Sequence, residues 1–441
     1  MNFNQIFTRW RLLFCLLLLV AGRLSAQPVL TLEEAVKIAL QNNYEIKLAA
    51  NNTEIAENNV SIGNAGFLPA ANATFSDNNN INNIKQTRAD GTVQEQNGVR
   101  NTNFGYGVGL SWTVFNGFGM FARYEQLKEL RKRGEADFQF TVLTKVGDVI
   151  STYYDLVQQQ QTLQAFDTVL SISRQRVDLA QIRFEIGKAA RLEVLNAQVD
   201  FNTDTTNLLR QLELYNNTRV LLNEIMARDV QTEFVVSDTF MIDNSLLLAN
   251  LQTMAAQHNP TLKAAIINRR IAELDLKQVR ANRYPAVSLN TGYNFSQSQS
   301  PLGFARESTN RGFNYGVSAS VNLFNGFNQR RNEQNAAILI ENSELEFERI
   351  NQNINSQLTR AYQTYQTNLS LVKLEENNQQ IAKRNLDITM DKFELGSIST
   401  VEFRDAQVNY LNATIRYSNA QYQAKLAEIA LREITGNIML E

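Results

Sequence analysis

Acid–base chemistry near neutral pH most often recruits an imidazole, and this chain of 441 residues has one histidine. His258 precedes Asn259 and Pro260, a helix-start setting in which it reads as a surface residue rather than a catalyst. The one thiol, Cys15, lies in an apolar run near the N-terminus and follows Phe14, a poor neighbour for a lipid-bearing cysteine. No spacing of His, Cys, Asp and Glu suits a metal, no glycine-rich loop suits a phosphate, and no nucleophile motif is present. Neither enzymatic activity nor a cofactor is expected. The legible local chemistry is helix capping. Thr31 with Glu34, and Ser399 with Glu402, each place a hydroxyl three residues before a carboxylate.

The elements that would carry such caps come in duplicate. "NFGYGVGLSWTVFNGF" matches "GFNYGVSASVNLFNGF", with Phe104 over Phe313, Tyr106 over Tyr315 and Val108 over Val317. The same offset sets "FEIGKAARLEVLNAQVDF" over "FELGSISTVEFRDAQVNY", so that Gly187 faces Gly396, Gln198 faces Gln407 and Ala190 stands where Ser399 caps. A slightly larger offset relates Lys47 to Lys263 and Pro69 to Pro285, so one loop between Pro69 and Phe104 is longer than its twin. The chain is a tandem duplication. We place a leader at 1–26, a first repeat at 27–232 and a second at 233–441, linked through the non-helical interval 228–244.

The leader has Arg9 and Arg11, an apolar run too short to span a bilayer, and small residues before a cleavage site after Ala26. Without it the chain keeps no thiol, so no disulfide is available to an exported protein. The formal net charge is −2 and becomes more acidic once Arg9, Arg11 and Arg23 are removed, which argues against a nucleic-acid partner.

From Phe104 to Val114 apolar and small polar residues alternate strictly, and the second copy does the same from Phe313 to Leu323. Strands are expected near 70–77, 103–115, 286–296 and 313–324, with the segments 77–102 and 297–311 as cell-surface loops. Strands of about ten residues cross a bilayer when tilted. Aromatics at their ends (Phe104, Tyr106, Phe115, Phe118, Phe313, Tyr315, Phe324, Phe327) suit interfacial girdles, and the Gly, Ser and Asn of the other face suit a lumen. Four strands cannot close a membrane barrel, so several chains must share one. Two would supply eight strands and three would supply twelve, and the pattern alone leaves that choice open.

Between the strands, 118–186 and 327–395 run without proline. Val142, Val146, Val149, Tyr153 and Leu156 form one stripe, and Phe166, Leu170, Val177, Ala180 and Phe184 form another. Asn116-Gly117 and Asn325-Gly326 sit where strand must become helix: Gly permits the backbone switch and Asn caps the helix. Pro69 and Pro285 mark the reverse switch, because the residue before proline avoids α.

In this order, "LTLEEAVKIALQNNYEI", the doubled "FNG" and the two tip motifs resemble the TolC-like outer-membrane efflux proteins over the whole mature chain. The resemblance implies an α+β membrane protein in which a homotrimer shares a twelve-stranded β-barrel, four strands per protomer, continuous with a long α-helical coiled-coil barrel. It implies location in the outer membrane with a helical part in the periplasm. It also implies passive conduction for a tripartite efflux or type I secretion system, with a periplasmic adaptor (membrane fusion protein) and an inner-membrane pump as partners. By resemblance, Glu402 and Asp405, with Glu193 and Asn196 in the first repeat, map onto the acidic ring of a periplasmic gate. Arg183, Gly187, Lys392, Gly396 and Ser399 map onto tip turns that contact the adaptor. Phe393 and Ile398 depart from a tyrosine and an arginine found in some members, so the polar latch of those members does not carry over whole. An acidic pair on an ordinary solvated helix face is the alternative for Glu402 and Asp405. A non-conducting, periplasm-spanning coiled-coil tether is the alternative for the whole chain, and the lumen-like strand face favours the conduit.

Overall fold

The computed structural model describes residues 29–237, 239–301 and 305–438, so the expected leader at 1–26, with Cys15, lies outside the described residues. In chain order the elements are β1 (Val29–Leu30), α1 (Leu32–Asn42), α2 (Tyr44–Asn58), β2 (Ala70–Thr87), β3 (Val93–Asn116), α3 (Gly119–Glu185), α4 (Arg191–Ile225) and β4 (Val235–Val236). Then follow α5 (Leu248–His258), α6 (Pro260–Ala281), β5 (Ala286–Gln299), β6 (Glu307–Ser320), α7 (Asn328–Glu394) and α8 (Thr400–Thr435). Helices α3 and α7 have 67 residues each. No helix among the described residues is long and apolar enough to cross a membrane.

Two compact units emerge. One comprises Asn51–Asp137 and Thr261–Ile350 and holds a four-stranded antiparallel sheet in the order β2-β3-β5-β6. The register sets Phe75 opposite Tyr106 and Tyr106 opposite Phe295, which makes one apolar face, with the Tyr106 and Phe295 rings stacked at 4.8 Å. The other face carries Thr74 opposite Gly107 and Gly107 opposite Asn294. Period two alone separates the faces.

The sheet corrects two expected boundaries. The segment 77–102 is no open loop: β2 has 18 residues and β3 has 24, paired up to Thr87 opposite Val93. A tight turn closes the hairpin. The Arg88 amide donates to the Thr92 carbonyl at 2.9 Å, the Thr92 amide donates to Asp90 at 3.0 Å, and Gly91 has φ +82°. This part of the ribbon has no apolar row for a pattern search to find. Likewise 297–311 reduces to the interval between β5 and β6. At the other end, β6 stops at Ser320 and not near 324. Its one neighbour among the described residues, β5, begins at Ala286 opposite Ser320, so 321–324 have no ladder to join, whereas β3 continues to Asn116 opposite Ala286.

The second unit holds residues up to Ala50, Phe138–Pro260, and from Asn351 onward. Its core gathers Leu30, Ala35, Val36 and Ala39 around Val146, Val149, Tyr153 and Leu156, the first helical stripe, with Tyr215, Leu222 and Phe234. The Tyr153 hydroxyl donates to the Leu30 carbonyl at 3.0 Å, and β1 pairs in parallel with β4. Thus the interval 228–244 is threaded into the core by a short ribbon. The duplication persists in detail. The Asn43 side chain donates to the Ile225 carbonyl at 2.8 Å, and its counterpart Asn259 donates to the Ile434 carbonyl at 2.8 Å.

Candidate functional site

The turns between long helices bring the expected tip residues into view. At the second tip Gly396 has φ +74°, and the Gly396 and Ser397 amides donate to the Phe393 and Lys392 carbonyls, each at 3.0 Å. The first tip repeats this: Gly187 has φ +73°, and the Gly187 and Lys188 amides donate to the Phe184 and Arg183 carbonyls. The helices that follow differ. Ser399 Oγ accepts from the Glu402 amide at 3.3 Å while Glu402 Oε2 accepts from the Ser399 amide at 3.2 Å, a complete capping box. Ala190 makes no side-chain cap.

Arg183 joins the two tips. Its Nη2 donates to the Phe393 carbonyl at 2.6 Å and the Glu394 carbonyl at 3.3 Å, and its guanidinium lies 4.9 Å from the centre of the Phe393 ring. These carbonyls belong to the last turn of α7, where a cation complements the helix dipole. Phe393 is itself buried, stacked on Phe403 at 4.8 Å, in a cluster with Leu386 and Ala406 that Ile398 packs against. Phe393 and Ile398, the two departures from the family pattern, thus pack together in one apolar cluster. Lys392 is exposed, as are Glu402, Asp405 and Asn196, while Glu193 is half-buried. Glu402 and Asp405 lie three residues apart, on neighbouring turns of one helix face.

A second group of residues escaped the sequence reading. Arg404 of α8 grips Asp204 of α4 with two bonds of 2.7 and 2.8 Å, and Ser173 of α3 donates to the same carboxylate at 2.5 Å. Gln407 donates to Ser173 at 2.8 Å and to the Val169 carbonyl at 3.0 Å, and Arg176 pairs with Asp200. Asp204, Gln407, Ser173 and Arg176 are all buried. The carboxylate of Asp204 raises the pKa of Arg404 above the usual arginine value. Such a network ties three helices together and, being buried, is costly to open on one side only. Its signal lay in the repeats: Ala413 occupies the place of Asp204, and Leu195 that of Arg404.

Pro69, Pro285, Asn116 and Gly117 stand at the ends of sheet strands, whereas Asn325 and Gly326 lie past the end of β6, just before α7. Pro69 and Pro285 directly precede β2 and β5. Asn116 Oδ1 accepts from the Met120 amide at 3.0 Å, and Asn325 Oδ1 from the Gln329 amide at 3.1 Å. Gly117 and Phe118 both have φ 67°, and Gly326 and Phe327 have φ 66° and 63°. An aromatic in left-handed backbone is strained, and it occurs at the same place twice. His258 closes α5 and is exposed.

The profile of the family described as outer membrane efflux protein matches residues 35–228 and 251–437. The chain belongs to that family. Two matched stretches mirror the internal repeat. Outer membrane protein TolC of Vibrio cholerae is 23% identical over 318 residues, covering 70% of this chain and 72% of the relative. The proteases secretion protein PrtF of Dickeya chrysanthemi is 18% identical over 432 residues, covering 97% of this chain and 92% of the relative. Among solved structures, the CmeC outer membrane channel of Campylobacter jejuni is similar with a TM-score of 0.73 at 17% identity, covering 92% of this chain and 85% of that one. The efflux-family fold thus combines long helices and a sheet in one chain.

Proposed function

We propose that the protein is an outer-membrane exit duct through which substrates leave passively in efflux or type I secretion. The observation that carries this reading is the four-stranded sheet, apolar on one face and polar on the other, whose outer strands β2 and β6 each pair on one side only among the described residues. Open strand edges are not tolerated in lipid, and a neighbouring copy is the simplest partner for them. Three copies supply a twelve-stranded barrel, wide enough for a lumen, continuous with a periplasmic barrel of coiled-coil helices. The names of the relatives fit both export roles: CmeC is an outer membrane channel, and PrtF a protease secretion protein.

Within this reading the tip turns around Gly187 and Gly396, with Lys392 exposed beside the second, meet a periplasmic adaptor that couples the duct to an inner-membrane pump. Arg183 and Ser399 act from within, holding the turns in shape. Glu402 and Asp405, with Glu193 and Asn196, line the entrance, where like charges from three copies concentrate cations. Replacing Glu402 with Gln and Asp405 with Asn is expected to lower cation selectivity and weaken block by divalent ions, read as reversal potential and conductance in planar bilayers. Unchanged values return the pair to a solvated helix face.

Native mass spectrometry of detergent-extracted protein, followed by single-channel recording, tests the whole. A trimer that conducts is expected. A trimer without conductance favours the tether, and a water-soluble monomer overturns both.

A further inference from the structure

The register of the sheet assigns every side chain of the unit to one face or the other. On the face that begins with Ala70, β2 contributes Asn72, Thr74, Ser76, Asn78 and Asn80, and β3 contributes Gly and Ser between Asn103 and Thr113. Across the ladder stand Ser288, Asn290, Gly292, Asn294, Ser296 and Ser298 of β5, then Ser308, Asn310, Gly312, Asn314, Gly316, Ser318 and Ser320 of β6. No charged residue occurs among them, although charged residues make up 20% of the chain. The opposite face does carry charges toward the hairpin ends: Asp77, Arg100, Glu307 and Arg311. Position along the strands therefore does not explain the difference. Only the face does.

This neutral face is also built. Asn294 Nδ2 donates to Asn314 Oδ1 at 3.0 Å, Asn290 reaches the Ser318 hydroxyl at 3.4 Å, and the Thr113 and Ser288 hydroxyls meet at 3.3 Å. A Cβ at Gly107 would lie 2.3 Å from Asn294 Oδ1, so the glycine supplies the seat for the amide opposite. The result is a lattice of amides and hydroxyls that keep spare donors and acceptors for water or cargo. Neutral dipoles exchange such bonds readily. A fixed charge repeated in every copy would instead attract one sign of ion and repel the other.

We infer that the sheet part of the duct is a charge-blind passage, lined by Asn, Ser, Thr, Gly and Ala, through which anionic, cationic and uncharged polar solutes move alike. This rests on the duct reading and adds to it: charge discrimination is made elsewhere in the protein, and the cargo that leaves is not filtered by sign at the exit.

The test uses the full chain in native membranes, with Cys15 replaced by Ser and single cysteines introduced as Asn72→Cys, Asn290→Cys or Asn310→Cys. Each is titrated with a cationic and an anionic methanethiosulfonate reagent of similar size. The ratio of the two rates should stay within about threefold of that for a free thiol in solution, because no fixed field biases either reagent. A preference beyond about tenfold for either sign overturns the inference, as does failure of both reagents to react. In the Asn290→Cys protein, a further Ser318→Lys change, at the hydroxyl the Asn290 side chain reaches at 3.4 Å, should favour the anionic reagent by about tenfold or more. An unchanged ratio there also overturns the inference, since charge on this face would then decide nothing. Conductance with biased labelling sinks only the neutral passage, whereas balanced labelling without conductance sinks only the duct.

Discussion

Asn43 and Asn259 perform one task in the two repeats, each holding a carbonyl at the end of a long helix at 2.8 Å. Gly117 and Gly326 share the tetrapeptide FNGF and a backbone conformation, yet their surroundings differ. A Cβ at Gly117 would lie 2.2 Å from the Ala281 carbonyl oxygen and 2.7 Å from Tyr284 Cβ, whereas at Gly326 the nearest atom is Asn328 Nδ2 at 3.9 Å. The Asp204–Arg404 pair has no twin, since Ala413 and Leu195 stand at its matching positions. Duplication thus preserved what every helix end needs. It let the copies diverge wherever one repeat packs on something the other lacks.

The largest effect that breaks the comparison should come from Gly117→Ala. Left-handed strain and a direct clash together should cost more than about 3 kcal/mol, while Gly326→Ala bears the strain alone, at about 1 kcal/mol. Thermal unfolding of the detergent-extracted protein checks this, and equal losses would deny the packing difference. Next, Asp204→Ala should cost about 3 kcal/mol by taking the shared carboxylate from half-buried Arg404 and buried Ser173, and Asp204→Asn less. A smaller gain should follow from Ala227→Gly. Ala227 ends α4 at φ 51° where its counterpart is Gly436, so the change should stabilise by about 1 kcal/mol.

The last expected effect is a slope with pH rather than a loss at one pH. Glu433 is pushed up to about 7 by burial and by Asp148, and its carboxylate lies against Gly147, whereas its counterpart Glu224 is exposed. A raised folded pKa means that the folded state binds the proton more tightly. The contribution is fully present below the ordinary value of 4.5 and is lost as pH rises through about 7. Melting curves between these values should fall with pH in the native chain and flatten in Glu433→Gln, with Glu224→Gln leaving the slope unchanged.

How much could be read beforehand follows from the same physics. The alternation over 104–114 was legible because one face of β3 is apolar, and the family was legible from duplicated motifs in a fixed order. The 78–101 stretch of the β2–β3 ribbon was not, since Asn and Gln stand on both faces and leave no period to see. Nor was the early end of β6, which depends on where its partner strand begins. At the tips, the capping box was legible as Ser399 and Glu402, because a cap is local. The Asp204–Arg404–Ser173 network was not, because its members are brought together only by the packing of α3, α4 and α8. Nor was the bond from Arg183 to the backbone at the other tip, which joins residues 210 apart in sequence.

That backbone contact shapes what heredity can do with the second tip. Arg183 grasps carbonyl oxygens, which all amino acids possess, so the codon for exposed residue 394 can drift without the bond registering the change, and the bond itself asks nothing of the side chain at 393. An exchange of tyrosine for phenylalanine at such a position alters the ring's chemistry and leaves the tether intact. Position 183 has no such latitude. A library of variants at these three sites should therefore tolerate broad diversity at 394, only ring-like or apolar residues at 393, where the side chain is buried against Phe403, and little at 183, a one-sided constraint that pairwise covariation would overlook.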